Sequence, residues 1–586
     1  MSSPASSAPP STARAALLVA SASGLLAVGW LVLHVFVGLD FTDEMQYYGE
    51  ITSLVRTGKF FQDDLFVQQL GYLWVWPFFK LHALAFPDHA YLIVFARLLF
   101  VIAYAAVGAW FWRATTLSGG FSPAQKLTGL AVFFAWVPFQ LFAFSYNTFA
   151  YLSIVALLAT WLAREQLGLR RYAVITAGLL TVLTYSYPPA GLVLIAVAVV
   201  EAWRRTGRAT ALRLLGFTAA AGGTVLALIL LRHGKAFIDD LVVSARFSGG
   251  FSGGQMFRNP LHIVAWCIVA LGGGLLVARL CAQAPVPVTT AETGTARTAH
   301  SALIIATLVV LLLFGVRWAT GFVAPFWFVG LLLALATAVR PGDPRAVADL
   351  SAVGLLLGLL FAISGGDGMI NFGTGSAAAL PFLALYCARH LDTRAPALPS
   401  WLRAAAVPLV AIMLLLNGAF HPYREQRGFA GFRPVRGVPA FAGIWTSPTK
   451  IETIETFDRL CPPGSLRGKR LLVAGPHGWL YFTTGAEPAT CMFFMHFTAD
   501  ADKQDVYDLI AERTFRAGPP DAIFLTNFVP PPLGARIYAW TQQPHTETSL
   551  TLSLGFIRRY RRETDYEFAG QVYLLRREPA LAAARP

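Results

Sequence analysis

Six carboxylates lie between residues 40 and 64 of this chain: Asp40, Asp43, Glu44, Glu50, Asp63 and Asp64, in the stretch LDFTDEMQYYGEITSLVRTGKFFQDDLFVQQ, 39–69. A carboxylate beside a hydroxyl can take its proton as that oxygen attacks an electrophile. Two carboxylate clusters that converge can hold a divalent cation through oxygen ligands. Asp43 is the candidate general base. Glu44 is the candidate to orient the attacking group or share a cation. Asp43, Asp63 and Asp64 are the candidate ligands of a divalent metal. Acidic residues at a helix start are also common in solvated loops, so the Asp43–Glu44 pair alone does not decide between the two readings.

The elements that position these groups can be read locally. Thr42 followed by two acids is a helix N-terminus, where negative side chains suit the dipole. The helix is predicted to run to about Thr57 and to end at Gly58. Met45, Tyr48 and Ile51 or Thr52 share one face, as a helix lying on a membrane surface would require. The next apolar stretch, GYLWVWPFFKLHALAF (71–86), is short and aromatic and carries Pro77, Lys80 and His82. Those features suit an interfacial or re-entrant segment better than a span.

The rest of the chain explains why a membrane surface is invoked. Of 586 residues, 56% are hydrophobic and 13% charged, and mean hydropathy is +0.56. Soluble domains carry about twice that charge. Apolar runs of span length recur, and in lipid such runs must be helical. Thirteen spans are predicted: 15–39, 90–112, 127–144, 148–163, 172–187, 188–203, 213–231, 259–281, 301–316, 322–339, 346–364, 375–390 and 402–419. The fold class is therefore mainly α, a polytopic membrane protein with a C-terminal soluble α/β domain. Residues 1–13 read as a disordered cytoplasmic tail, 14–419 as the membrane domain with its acidic outer loop at 39–86, and 420–586 as the soluble domain. With the N-terminus inside, most loop arginines fall on the cytoplasmic side, as topology requires. The net charge of +14 is then loop charge that holds topology, and nucleic acid is not an expected partner.

Beyond Phe420 charges become frequent, and LLVAG (471–475), DAIFLTN (521–527) and VYLLRR (572–577) read as strands. KQDVYDLIAERTF between them reads as an amphipathic helix. Cys461 and Cys491 are either a disulfide in an oxidising compartment or two buried thiols.

The combination of TDEMQYYGEI after the first span, QQLGYLWVWPFFKL after it and Arg97 in FARLLF resembles the GT-C glycosyltransferase superfamily, of the protein mannosyltransferase type. VAGPHGWLYFTTGAEPATCMFF in the tail is similar to a segment of bacterial members. The resemblance covers most of the chain in architecture and the first hundred residues in motif. The family's Pro-Pro-Leu is replaced by Gln69-Leu70-Gly71. Gln68 and Gln69 stand where some members carry a Lys, and Asn147 in FSYNTF stands where a second acid is usual.

The resemblance implies an enzyme that moves a sugar from a polyprenyl-phosphate donor to a glycan, lipid or protein acceptor. It would work on the outer face of a bacterial inner membrane, with the soluble domain extracytoplasmic. The departing phosphate needs cations, and Arg97, Lys80, Arg258 and Arg317 are the candidates. Tyr47, Asn147, Asp367 and Asn371 are candidates to line the substrate cavity. No Walker A loop, HExxH or Cys/His metal cluster occurs in the sequence. A transporter and a non-catalytic envelope assembly protein remain as alternatives, because loop carboxylates alone establish no reaction.

Overall fold

The computed structural model describes residues 10–249, 344–364, 369–394, 407–420, 425, 428–474, 477–490, 504–516, 518–525, 545–551 and 571–577. The fold is mainly helical, with a sheet confined to the C-terminal part. Among the described residues, three helices are long and apolar enough to cross a membrane: Arg14–Phe36, Leu92–Ser118 and Arg208–His233. The protein is accordingly a membrane protein with transmembrane helices, and a lipid bilayer is its environment.

Helix α1 (Pro10–Phe36) begins inside the stretch expected to be a disordered tail. It packs against α4 (Leu92–Ser118) and α5 (Pro123–Ala135). Between α1 and α4 lie α2 (Asp43–Thr57), a 3-10 turn (Val67–Trp74) and α3 (Trp76–Ala85). At ten residues α3 is about 15 Å long, half the hydrocarbon thickness.

A second group of helices follows. It comprises α6 (Tyr146–Leu162), the short α7 (Arg164–Leu167), α8 (Leu169–Ser186), α9 (Pro188–Thr206), α10 (Arg208–His233) and α11 (Lys235–Gly249). It meets the first group where α4 packs on α6. Later described helices are α12 (Pro344–Ser364), α13 (Met369–Ala377), α14 (Leu380–Arg394) and α15 (Pro408–Phe420). The spans expected at 259–281, 301–316 and 322–339 lie outside the described residues.

Two expected spans are interrupted. The helix expected over 127–144 stops at Ala135, and Phe139 and Gln140 adopt left-handed backbone at φ +54° and +53°. Pro138 explains the stop: it has no N–H to donate and pushes the residue before it out of helical geometry. The chain restarts at Tyr146, where Ser145 and Thr148 cap each other reciprocally. The helix expected over 375–390 is likewise divided, into α13 and α14, just before Pro381.

The C-terminal part holds a mixed five-stranded sheet in the order β4-β3-β5-β7-β6. Its strands are β3 (Arg470–Ala474), β4 (Glu487–Pro488), β5 (Ala522–Leu525), β6 (His545–Thr551) and β7 (Gln571–Arg577). β3 pairs in parallel with β4 and β5, and β7 runs antiparallel to β5 and β6. Residues Leu471 to Ala474 are fully buried, as a strand covered on both faces must be. Helix α16 (Pro448–Leu460) lays Phe457 on Phe524 and Trp479, and α18 (Gln504–Arg516) follows the short α17 (Trp479–Thr484). A two-residue pair, β1 (Arg433–Pro434) with β2 (Trp445–Thr446), joins this part to α1 through a bridge from Trp445 to Val37. Cys461 is buried, and Cys491 lies outside the described residues.

Candidate functional site

The acidic loop folds as α2, which begins at Asp43 and ends at Gly58 in left-handed backbone. Thr42 precedes the helix but its hydroxyl does not cap it. Instead Thr42 donates from both its N–H and its hydroxyl to Asp40, and Asp40 accepts the N–H of Glu44 at 3.1 Å. The cap thus comes from two residues earlier.

Nor does α2 lie on an open membrane surface. Met45, Tyr48 and Ile51 are almost wholly buried. The helix is held between α3 and α17 of the tail, where Phe41 stacks on Trp479 at 5.6 Å. A sequence window shows an amphipathic face but not what will cover the other side.

Five of the six loop acids are buried: Asp40, Glu44, Glu50, Asp63 and Asp64. Acids are almost never buried without partners, and each of these has one. Glu44 receives Arg97 in a two-pronged pair, Nε to Oε1 at 2.6 Å and Nη2 to Oε2 at 2.7 Å. The other Arg97 N–H groups donate to the carbonyls of His34, Val37 and Gly38. All five guanidinium donors are therefore in use, and none is left for a phosphate. Asp63 pairs with Arg56 and accepts from Ser53. Asp64 accepts the N–H of Phe66 at 3.0 Å. Asp43 is the one loop acid that stays half-buried, at the first turn of α2.

Asp43, Tyr47 and Glu50 fall at i, i+4 and i+7 of α2, one face of the helix. Tyr47 feels the charges of Asp43, Tyr146 and Glu50, and burial holds its hydroxyl well above its usual range. Glu50 accepts from Gln46 at 2.6 Å and Gln68 at 2.9 Å. Burial pushes its carboxyl up to about 7 against those hydrogen bonds, with Tyr72 and Asp64 beside it. Among the described residues Asn147 Oδ1 and Ser186 Oγ are buried without a hydrogen-bond partner. Gly71 lets this region close up: a Cβ there would sit 3.2 Å from Ser186 Oγ and from Phe149. The 3-10 turn therefore rests directly on α6 and the end of α8. Asn371 is also buried, on α13, which packs against α6, and its amide nitrogen has no partner among the described residues.

Lys80 is not at this end of the helix. Its Nζ lies 3.4 Å from the carbonyl of Val55, twelve residues and about 18 Å along α2 from Asp43. Arg258, Arg317 and Asp367 lie outside the described residues. Among the described residues no group of three or more His, Cys, Asp or Glu could hold a metal ion. Asp63 pairs with Arg56, and Asp64 accepts a backbone N–H.

Two residues that matter here carried no sequence signal. Leu39 donates its N–H to Glu425 at 2.9 Å, and Lys450 donates to the Leu39 carbonyl. Glu425 also accepts from Thr446 at 2.7 Å and pairs with Lys450 at 3.4 Å. This clamp joins the tail to the start of the acidic loop. Behind the Arg97–Glu44 pair lies a cavity of ≈ 50 Å³ lined by His34, Asp40, Gln140, Glu425 and Phe429. That is room for a few waters and not for a sugar.

No protein-family model matches the chain, and no curated protein matches it.

Proposed function

We propose that the protein is a GT-C-type membrane glycosyltransferase, with thirteen spans, an N-terminus in the cytoplasm and the tail on the outer face of a bacterial inner membrane. It would move a sugar from a polyprenyl-phosphate donor to an envelope glycan, lipid or protein acceptor. The observation that carries this reading is the treatment of the six loop acids. Five are buried, and Asp43 alone is half-buried, at the head of a helix packed between α3 and α17. A general base needs that combination of access and fixed position.

In the proposed reaction the acceptor hydroxyl gives its proton to the Asp43 carboxylate. Its oxygen bonds to the anomeric carbon as the bond from that carbon to the lipid phosphate breaks, and the electron pair leaves on the phosphate. Glu44 acts through structure: its pair with Arg97 fixes the turn that carries Asp43. Tyr47, Asn147 and Asn371, with Glu50 and Tyr72, supply polar atoms suited to sugar hydroxyls. In this reading Arg97 serves the Glu44 pair, Lys80 lies toward the far end of α2, and Arg258 and Arg317 receive the donor phosphate. No step is assigned to a metal.

The test is envelope sugar composition in cells with the intact gene, a deletion and Asp43→Asn at matched membrane levels. The reading expects deletion and Asp43→Asn to lose the same sugar. Unchanged sugar in Asp43→Asn cells would overturn it and favour a scaffold or transporter.

A further inference from the structure

The end of α2 opposite Asp43 has a different character. Gly58 closes the helix in left-handed backbone, and Arg232 lies so close that a Cβ at Gly58 would sit 2.5 Å from Nη2. Arg232 is the penultimate residue of α10, and its guanidinium lies over the Trp76 ring at 5.8 Å. Lys80 follows one turn after Trp76 on α3 and reaches the Val55 carbonyl. Lys59 follows Gly58, near enough to His233 for its charge to be felt there. Lys59, Lys80 and Arg232 are all exposed.

Among the described residues none of the three makes an ion pair, whereas Arg56 next to them pairs with Asp63. Their neighbours are apolar and exposed. Leu228 and Leu231 precede Arg232 on a membrane-spanning helix, and Phe78, Leu81 and Leu84 line α3. An uncompensated cationic rim directly above lipid-facing leucines is complementary to an amphiphile with a negative head.

We infer that Lys59, Lys80 and Arg232, with Trp76 as a platform, form a binding site for the phosphate headgroup of an anionic bilayer lipid. The acyl chains would lie along the exposed faces of α3 and α10. Arg232 offers a planar fork to phosphate oxygens, and the two lysines add point charges. This site does not depend on sugar transfer and can stand if that reading fails.

Native mass spectrometry of the full-length protein in a neutral detergent tests it, with thermal unfolding as a second measurement. Phosphatidylglycerol is titrated into the intact protein and into a Lys59→Gln, Lys80→Gln, Arg232→Gln variant. A charge-matched control carries Arg204→Gln, Arg208→Gln and Arg213→Gln, exposed residues at the end of α9 and the start of α10. The inference expects one retained phosphatidylglycerol and a raised unfolding temperature for the intact protein and the control. Affinity in the first variant should fall on the order of 100-fold, at a few-fold per surface cation.

Equal retention in the two variants would overturn the site, as would equal response to phosphatidylcholine, the mark of unspecific anchoring. Inorganic phosphate producing the full effect would overturn the lipid as ligand. Undecaprenyl phosphate displacing phosphatidylglycerol at equimolar concentration would overturn the bilayer lipid in favour of the polyprenyl chain.

Discussion

The two ends of α2 carry opposite charge and are treated in opposite ways. At the Asp43 end, Asp40, Glu44 and Arg97 are buried and held by hydrogen bonds to one another and to the backbone. At the Gly58 end, Lys59, Lys80 and Arg232 stand exposed and without carboxylates among the described residues. Both arrangements suit the helix dipole, so the dipole does not separate them; burial does. Buried ions must be partnered and so fix geometry, whereas exposed ions pay little for freedom and can meet a ligand.

The largest effect that would break this contrast is chemical. Asp43→Asn should lower transfer by about 10²–10⁴-fold with normal membrane insertion, measured as sugar incorporated per protein. Next, Arg97→Ala should cost about 3–5 kcal/mol, because it strands a buried Glu44. Thermal unfolding in detergent measures this, and a loss under about 1 kcal/mol would show that the Asp43 end is not held by that pair.

Lys450→Met should cost about 2–3 kcal/mol by removing the cation beside Glu425 and the donor to the Leu39 carbonyl. Limited proteolysis should then cut the tail faster while leaving the membrane helices intact. Glu50 offers a pH test. Its carboxyl is raised from 4.5 to about 7, so the folded protein keeps a proton that the unfolded chain gives up. That stabilisation is full below about pH 4.5 and is lost as pH rises through about 7, on the order of 3 kcal/mol. Unfolding followed from pH 5 to 8.5 should show the slope, and Glu50→Gln should flatten it. The smallest effect belongs to the exposed Arg516–Glu512 pair: Arg516→Ala should change stability by under about 0.5 kcal/mol.

How much of this was readable from sequence depends on how local the cause is. The bounds of α2 were readable because Asp43-Glu44 and Gly58 signal start and stop within a few residues. Strands 470–474, 522–525 and 571–577 were readable from short runs of apolar and β-branched residues. The break after Ala135 was also signalled, by Pro138, but the hydropathy of the surrounding run obscured it. The cover over α2, and the capture of Leu39 by Glu425 and Lys450, left no local trace: 386 and 411 residues separate those partners. Likewise the fivefold engagement of Arg97 depends on three backbone carbonyls, which every residue possesses and no sequence pattern marks.

The clamp between Leu39 and the tail has a consequence in time. A ribosome adding about 5–20 residues per second needs roughly 20–80 s to pass from Leu39 to Glu425. Throughout that interval the acidic loop exists without the tail residues that will cover it. The head of α2 therefore gains its final neighbours late in synthesis, once the tail has folded back onto it.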